Sequence, residues 1–158
     1  MKNTLFLIVG IFIIGGSIYL FLEKPAPSGY KEDVTDTNLG LNKAIKIDDV
    51  LLTVEVFDTP LERSKGLSER SGLEGGLGAL FVFDTLGLYG FWMKDMQFAI
   101  DIIWIGEDMK VVGVEKLVRP ETFPRIFYPP QPVRHVLETS AGLFDRNSFK
   151  IGSTITFI

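Results

Sequence analysis

Residues 91–105 constrain the fold of this chain more than any other segment, because strand-forming apolar residues surround Asp101 on both sides. In an extended strand, Asp101 would share one face with Ala99 and Ile103, while the opposite face would carry Ile102 and other apolar residues. A strand that is apolar on both faces is typical of a sheet buried on both sides. We therefore expect a β-rich domain in which Asp101 lies inside a two-sided core.

A buried carboxylate is unfavourable unless it is paired or hydrogen-bonded, so Asp101 needs a partner. The candidate partners are the cationic and imidazole side chains Lys94, Arg63, Arg70, Arg134 and His135. One interpretation is a structural carboxylate that accepts backbone N–H groups or pairs with an arginine. The other is a site acid held next to a ligand, because perturbed carboxylates concentrate in functional clefts.

Short strands separated by Gly and Pro turns fill the rest of the domain. Apolar runs and period-two spacing predict strands at residues 50–57, 80–83, 97–105, 110–115, 133–138 and 154–158. Thr59, Pro60 and Glu62 predict a capped short helix that ends near Gly66. After Leu22, no apolar segment keeps helical spacing over three turns. The pattern predicts a mainly β fold, a compact β-barrel or jelly-roll-like sandwich with one or two short helices.

The N-terminal segment is a candidate membrane anchor. Residues 4–22 contain no charged side chain, and a helix of that length would reach about 30 Å, the thickness of a bilayer core. A secretory signal peptide is the alternative, although its apolar region is usually shorter and ends at an A-x-A-like site. We therefore expect a single transmembrane helix at residues 1–22 (an anchor or an uncleaved signal), a flexible linker at residues 23–43 and a β domain at residues 44–158.

The charges that flank this segment suggest an orientation. Lys2 and the amino terminus precede it, and the residues that follow it carry no positive bias. The positive-inside rule then places the β domain outside the cytoplasm. We expect a membrane-anchored, extracytoplasmic protein whose partner at the N-terminal helix is the bilayer.

Composition argues against several classes of function. The chain has 16 Lys+Arg against 20 Asp+Glu, whereas a nucleic-acid binder should have a basic surplus. The absence of cysteine excludes disulfides and thiol catalysis, and His135 as the lone histidine argues against a zinc site. We expect no nucleic-acid partner, no metal and no cofactor. The protein partner is unknown.

The polar residues of the β domain suggest a ligand pocket. Trp92 and Lys94 share a face of one strand, so the lysine could contact the indole ring or point at an anion. Arg63 has no capping role and could reach inward to Asp101 or Glu138. The predicted ligand-binding residues are Arg63, Trp92, Lys94, Asp101 and Glu138. The aromatic and proline-rich loop at residues 118–132 would be either a lid over the pocket or a strap across the barrel end.

Several motifs occur in an order found in a known family. They are Thr59-Pro60-Leu61-Glu62-Arg63 with Gly66-Leu67, Gly78-Ala79-Leu80-Phe81-Val82-Phe83, Phe91-Trp92-Met93-Lys94, Asp101-Ile102 and Val136-Leu137-Glu138 through Gly142. Together they resemble the DUF192 family, also called UPF0127, over about residues 48–158. The resemblance implies a compact β-barrel or jelly-roll-like sandwich. It also implies patterned polar positions, with no established activity, at Glu62, Arg63, Lys94, Asp101 and Glu138.

The chain departs from the family pattern at three places. Asp95-Met96 stands where Asn-Thr is usual, Ala99-Ile100 replaces a common Pro-Leu, and Ser68 occupies a position usually filled by methionine. If the family asparagine contacts a ligand, an aspartate in its place would disfavour an anion there.

Three functions fit these observations. The leading hypothesis is a membrane-anchored, extracytoplasmic module that binds a small polar ligand or a glycan fragment without catalysis. The first alternative is a structural or protein-interaction module of the cell envelope, with an exposed apolar patch or sheet edge as its docking surface. The second alternative is a hydrolase that uses Asp101 and Glu138 as acid and base, which requires both carboxylates to converge in one cleft.

Overall fold

The computed structural model describes residues 9–14, 17–22, 43–73 and 77–158. The chain divides into two compact units, Met1–Asp36 and Thr37–Ile158. In the first unit, strand β1 (Val9–Ile14) pairs antiparallel with strand β2 (Ser17–Leu22). Every helix within the described ranges is too short or too polar to cross a bilayer.

The described part of the N-terminal segment therefore differs from the single membrane helix that the sequence predicts. Isoleucine, valine and aromatic residues favour strands as well as apolar helices, so the lack of charge does not distinguish the two. The predicted linker, apart from Lys43, lies outside the described residues.

The second unit is built on one seven-stranded sheet. Its strands are β3 (Lys43–Ile47), β4 (Val50–Phe57), β5 (Gly78–Gly87), β6 (Ile100–Ile105), β7 (Val111–Val118), β8 (Val133–Ser140) and β9 (Ile155–Phe157). Their order in the sheet is β7-β6-β8-β5-β4-β3-β9. All neighbours pair antiparallel except β4 and β5, which are parallel and are joined through a helix.

The sheet curls so that its two edge strands meet at one end. The amide of Gly152 donates to the carbonyl of Val111 over 2.8 Å, and the amide of Ile155 donates to the carbonyl of Met109 over 2.7 Å. These bonds lie beside an isolated bridge between Lys110 and Thr154. The domain is thus a mainly β half-barrel, and the predicted β-rich class with short helices is confirmed.

Apolar side chains pack on both faces of the sheet, as the two-sided pattern around Asp101 predicts. One core contains Phe57, Phe81, Phe91, Ile102, Trp104 and Val136. The other contains Ile45, Val54, Ile103, Ile105, Leu137 and Phe144. Successive residues of β6 and β8 alternate between these cores because side chains alternate along a strand.

Helix α1 (Pro60–Lys65) begins and ends as the sequence predicts. The Thr59 hydroxyl accepts the amide of Glu62 at 3.2 Å, and the Glu62 carboxylate accepts the amide of Thr59 at 3.0 Å. These hydrogen bonds to Thr59 lower the pKa of Glu62. Gly66 ends the helix with a φ of 49°, and its amide donates to the carbonyl of Glu62 at 2.7 Å. A second short helix, α2 (Leu143–Arg146), follows β8, and a 3-10 turn (Pro120–Thr122) follows β7.

Candidate functional site

A cavity of about 510 Å³ lies between α1, the middle of β5 and residues 89–96. Its apolar lining is mainly aromatic, and its polar lining includes two cations, two acids and several hydroxyl groups. The lining residues that matter for chemistry are Arg63, Ser64, Lys65, Ser68, Phe81, Phe83, Asp84, Thr85, Tyr89, Phe91, Trp92 and Glu138. A concave aromatic surface with a few polar groups is the usual form of a small-molecule site.

Glu138 is the buried acid of this cavity. It lies on β8 between Ala79 of β5 and Ile102 of β6, and only 5% of its surface is exposed. Among the described residues, its carboxyl group has neither an ion-pair partner nor a hydrogen-bond donor. Burial raises the pKa of Glu138 to about 8, because the charged form loses its hydration without gaining a counter-ion. At neutral pH the acid is therefore mostly protonated.

Arg63 extends from the capped helix over the wall of the cavity. Its Nη1 donates to the carbonyl of Val82 at 2.8 Å and to the carbonyl of Asp58. The guanidinium carbon lies 5.1 Å from the centre of the Phe83 ring, within the range of a cation–π contact. These contacts fix the positively charged guanidinium group of Arg63 at the edge of the cavity. The arginine pairs with neither Asp101 nor Glu138 among the described residues.

The aromatic wall of the cavity is formed by Phe81, Phe83, Tyr89 and Phe91, and contacts between these rings hold it in place. Phe83 stacks on Tyr89 with ring centres 3.6 Å apart, and the Tyr89 hydroxyl donates to the carbonyl of Thr85 at 2.8 Å. Phe81 meets Phe91 edge-on at 5.0 Å. Because each ring is fixed by a neighbour, the wall is largely pre-formed.

Trp92 is the aromatic residue at the mouth of the cavity, where 49% of its surface is exposed. Its ring centre lies 5.7 Å from that of Phe123, and Lys94 Nζ lies 6.0 Å from the Trp92 ring. The predicted contact between Lys94 and Trp92 is therefore present at the outer limit of a cation–π interaction. Lys94 is exposed beside the cavity and is not among its lining residues.

The predicted loop at residues 118–132 packs next to the mouth of the cavity. Phe91 and Phe127 exchange backbone hydrogen bonds of 2.9 and 2.8 Å. Gly90 allows the loop to approach, since a Cβ at that position would lie 2.6 Å from a methyl carbon of Ile126. The loop touches the rim through Phe123 but contributes no residue to the lining.

Asp101 lies outside the cavity. It is completely buried, and its carboxylate accepts backbone amides from Leu117 at 2.8 Å, Gly142 at 3.0 Å and Phe144 at 3.0 Å. Three amides therefore take the place of the cation that the sequence suggested as its partner. The carboxylate joins β6 to the end of β7 and to the start of α2.

The other residues suggested as partners of Asp101 have separate contacts. Arg70 forms a bidentate pair with Glu55, with N–O distances of 2.6 and 2.9 Å. The imidazole of His135 is partly buried near Phe157, and burial lowers its pKa. Within the described ranges, no group of three or more His, Asp or Glu residues is placed to hold a metal ion.

Asp95, which replaces the asparagine of the family pattern, has a φ of 57°. Asparagine and aspartate adopt this left-handed conformation more readily than other residues with a side chain. The backbone carbonyl of Asp95 also accepts the amide of Glu69 at 2.8 Å. A conformational requirement thus accounts for the residue type at this position without a ligand contact.

Sequence reasoning missed most of the aromatic wall and the second acid of the lining, Asp84. Phe81 and Phe83 are two residues apart in β5 and share a face, which was the available signal for a wall. Tyr89 gave no such signal because it lies after β5. Asp84 gave none because it lies beyond Val82, where the pairing of β5 with β8 shifts register and the alternation of faces is interrupted.

The β domain is similar to known proteins. The profile of the DUF192 family, described as "Uncharacterized ACR, COG1430", matches residues 43–157. The chain is similar to the crystal structure of a candidate transcription regulator from Sinorhizobium meliloti 1021, with a TM-score of 0.69 and 26% sequence identity, covering 73% of this chain and 93% of that chain. It is also similar to a protein of unknown function from Novosphingobium aromaticivorans DSM 12444, with a TM-score of 0.67 and 25% identity, covering 72% of this chain and 83% of that chain. No curated protein matches the chain.

Proposed function

The chain belongs to the DUF192 family, and we propose that its β domain binds a small polar ligand with an apolar face, such as a glycan fragment, in the aromatic cavity. The observation that supports this proposal most directly is the environment of Glu138. Its carboxyl group opens on the cavity and contacts no partner among the described residues, so a role in holding the fold together does not explain it. A ligand that hydrogen-bonds to Glu138 supplies the missing partner.

The shape and lining of the cavity suit such a ligand. Its volume of about 510 Å³ falls in the usual range for small-molecule sites. Trp92 offers a half-exposed ring at the mouth, where the apolar face of a sugar or a similar molecule can stack. The hydroxyl of Ser64 lines the same space and can donate to or accept from a ligand. The hydroxyl of Ser68 donates to the carbonyl of Lys94 at 3.0 Å and that of Thr85 lies 3.1 Å from the Tyr89 hydroxyl, so both oxygens can still accept from ligand hydroxyl groups.

The geometry does not favour the hydrolase alternative. Asp101 would have to share a cleft with Glu138, yet the two residues lie on opposite faces of the sheet. The second carboxyl group of the lining is Asp84, which is exposed to solvent. We therefore propose binding without catalysis.

One observation favours the protein-interaction alternative. Trp92, Phe123, Ile126 and Tyr128 expose large apolar side chains along the rim and the adjoining loop. Exposed apolar patches often mark interaction surfaces. Alanine at Ile126 and Tyr128 would abolish capture of a partner protein if this surface binds one, and would leave small-ligand binding unchanged.

We also propose that residues 4–22 attach the domain to a membrane, on its extracytoplasmic side. The support is the absence of charge in this segment together with Lys2 before it. In membrane fractions of the native host, the full chain should resist a carbonate wash, and the β domain should be cleaved by protease added to the extracytoplasmic side. Release by carbonate would contradict the attachment, and full protection from protease would contradict the orientation.

A matched pair of variants tests the binding proposal. The full chain, purified in a mild detergent, would be screened by thermal shift against mono- and disaccharides, nucleotides and small organic acids. Trp92→Ala removes an aromatic ring that lines the cavity, and Tyr128→Ala removes an exposed ring that does not. A ligand that stabilises the native chain and Tyr128→Ala but not Trp92→Ala supports the cavity. Equal responses of both variants, or no response of the native chain to any compound, would contradict it.

A further inference from the structure

We infer that the ligand of this cavity carries a carboxylate, which accepts a hydrogen bond from the Glu138 carboxyl group and is balanced in charge by Arg63. This inference rests on the proposed function and names its ligand class. An acidic sugar or another small organic acid would satisfy it.

The surroundings of Glu138 make its carboxyl group a donor. The strand neighbours of this residue are Ala79 on β5 and Ile102 on β6, and both are apolar and completely buried. The charged groups that line the cavity around it are Arg63 and Lys65 from α1 and Asp84 from β5, and none of them pairs with it among the described residues. A carboxyl group buried without a counter-ion stays protonated. A protonated carboxyl group donates one hydrogen bond, so it calls for an acceptor on the ligand.

Arg63 supplies the positive charge that an acidic ligand needs. Its Nη1 is held by the carbonyls of Val82 and Asp58, so the guanidinium group cannot swing away freely. Its Nε and Nη2 have no hydrogen-bond partner among the described residues. A guanidinium group that is fixed in place and has unused N–H donors is well suited to bind a carboxylate. Lys65 lines the same cavity and adds a second positive charge.

A cationic ligand fits these groups less well. An ammonium group would need Glu138 in its charged form, and it would enter a cavity that already contains Arg63 and Lys65. A neutral sugar could accept the hydrogen bond from Glu138 but would leave the charge of Arg63 without a partner. The three ligand classes therefore differ in their expected order of affinity and in their pH dependence.

Three sugars that differ only at C6 separate these classes: galacturonate, galactose and 6-amino-6-deoxygalactose, which carry there a carboxylate, a neutral hydroxyl and an ammonium group. Affinities would be measured by NMR titration of the full chain in detergent, between pH 6.5 and 9. We expect galacturonate to bind at least tenfold more tightly than galactose and to perturb resonances of residues that line the cavity. Because the free acid titrates at about pH 8, galacturonate affinity should fall about tenfold between pH 7 and pH 9.

Substitutions at the two recognition residues complete the test. In Glu138→Gln, galacturonate binding should weaken severalfold at pH 7 and should no longer fall between pH 7 and pH 9. In Arg63→Gln, the preference for galacturonate over galactose should disappear. Arg134→Gln removes an exposed arginine that does not line the cavity, so it controls for the overall loss of charge.

Each other outcome has a definite meaning. Preference for 6-amino-6-deoxygalactose would overturn the inference and favour a cationic ligand. Affinity for galacturonate that rises with pH would also overturn it, because the protonated Glu138 would then not be the donor. Equal binding of galactose and galacturonate in the cavity would overturn the inference while the proposed function stands. If no sugar perturbs resonances of the cavity, while another compound from the thermal-shift screen binds there, a compound without a carboxylate overturns the inference. An organic acid whose binding is weakened in Arg63→Gln supports it. If nothing binds in the cavity, both proposals fail.

Discussion

Asp101 and Glu138 lie on neighbouring strands of one sheet, but they face opposite cores. Asp101 pairs with Thr139 and Ile102 pairs with Glu138 in the register of β6 and β8, so the two carboxyl groups point to opposite sides. Asp101 accepts three backbone amides, whereas Glu138 has no partner among the described residues. One buried acid therefore stabilises the fold, and the other is available to a ligand.

The substitution Asp101→Asn should destabilise the domain without affecting the cavity. An asparagine has one oxygen and one NH₂ group, so it cannot accept all three amides. If its oxygen accepts the amides of Leu117 and Gly142, its NH₂ group faces the amide of Phe144, and in the flipped orientation the NH₂ group faces the amides of Leu117 and Gly142. We expect a loss of about 2–4 kcal/mol in the free energy of unfolding, measured by urea denaturation.

The control for this substitution is Asp145→Asn, which removes an exposed carboxylate paired with Lys116 at 2.9 Å. An exposed ion pair contributes only about 0–1 kcal/mol, so this variant should be close to the native chain. If Asp101→Asn instead kept full stability and lost ligand binding, Asp101 would be a ligand-binding residue after all.

Gly66 should be required where α1 meets the aromatic wall. Its φ of 49° favours glycine, and a Cβ there would lie 3.3 Å from the ring of Phe81. Gly66→Ala should lower the free energy of unfolding by about 1–2 kcal/mol, as measured by urea denaturation. Gly72→Ala is the matched control, because a Cβ at Gly72 meets nothing within 4 Å. Equal effects of the two substitutions would show that the backbone conformation at Gly66 is not restrictive.

The capping box should stabilise α1, the helix that carries Arg63. Thr59→Ala removes the hydroxyl that accepts the amide of Glu62. We expect a loss of about 1 kcal/mol in stability, and faster hydrogen exchange at the amides of Arg63 and Gly66, which donate within the helix. Thr53→Ala, at an exposed position of β4, controls for the loss of a threonine. Unchanged exchange at Arg63 would mean that packing, not the cap, holds the helix.

Local chemistry was readable from the sequence. The cap at Thr59, the helix end at Gly66 and the alternation around Asp101 each depend on residues within a few positions of one another, and all three are present in the structure. The burial of Asp101 followed from the same alternation. Its partners did not, because Leu117, Gly142 and Phe144 lie 16 to 43 residues away along the chain.

The cavity was harder to predict, since it is formed by elements distant in sequence. Arg63, Trp92 and Glu138 were named from their residue types, and the structure brings these three to one cavity. Lys94 lies beside that cavity, and Asp101 lies on the far face of the sheet. The strand period alone could not assign a face to β6 relative to β8, because that depends on their register.

The stability of the domain should depend on pH through Glu138, independently of any ligand. Its pKa rises from 4.5 in the unfolded reference to about 8 in the fold, so folding takes up a proton between these values. The contribution of the protonated acid is fully present below about pH 4.5 and is lost as the pH rises through 8. Burial lowers the pKa of His135, so the unfolded chain binds a proton at this imidazole more readily than the folded chain does. His135 therefore has the opposite effect, and it reduces stability as the pH falls below about 6.5. Because His135 titrates in both proteins, the difference in slope between the native chain and a variant without this acid, from pH 6.5 to 8, isolates Glu138.

In that interval, the free energy of unfolding of the native chain should fall by up to ~1.4 kcal/mol per pH unit, since one proton is released on unfolding. Glu138→Gln cannot release this proton, so its stability should stay nearly constant from pH 6.5 to 8. Urea denaturation of both proteins at three pH values in this range measures the two slopes. Parallel slopes would mean that Glu138 is already ionised in the fold. The acid would then have a cationic partner, and its role as a free hydrogen-bond donor in the cavity would be wrong.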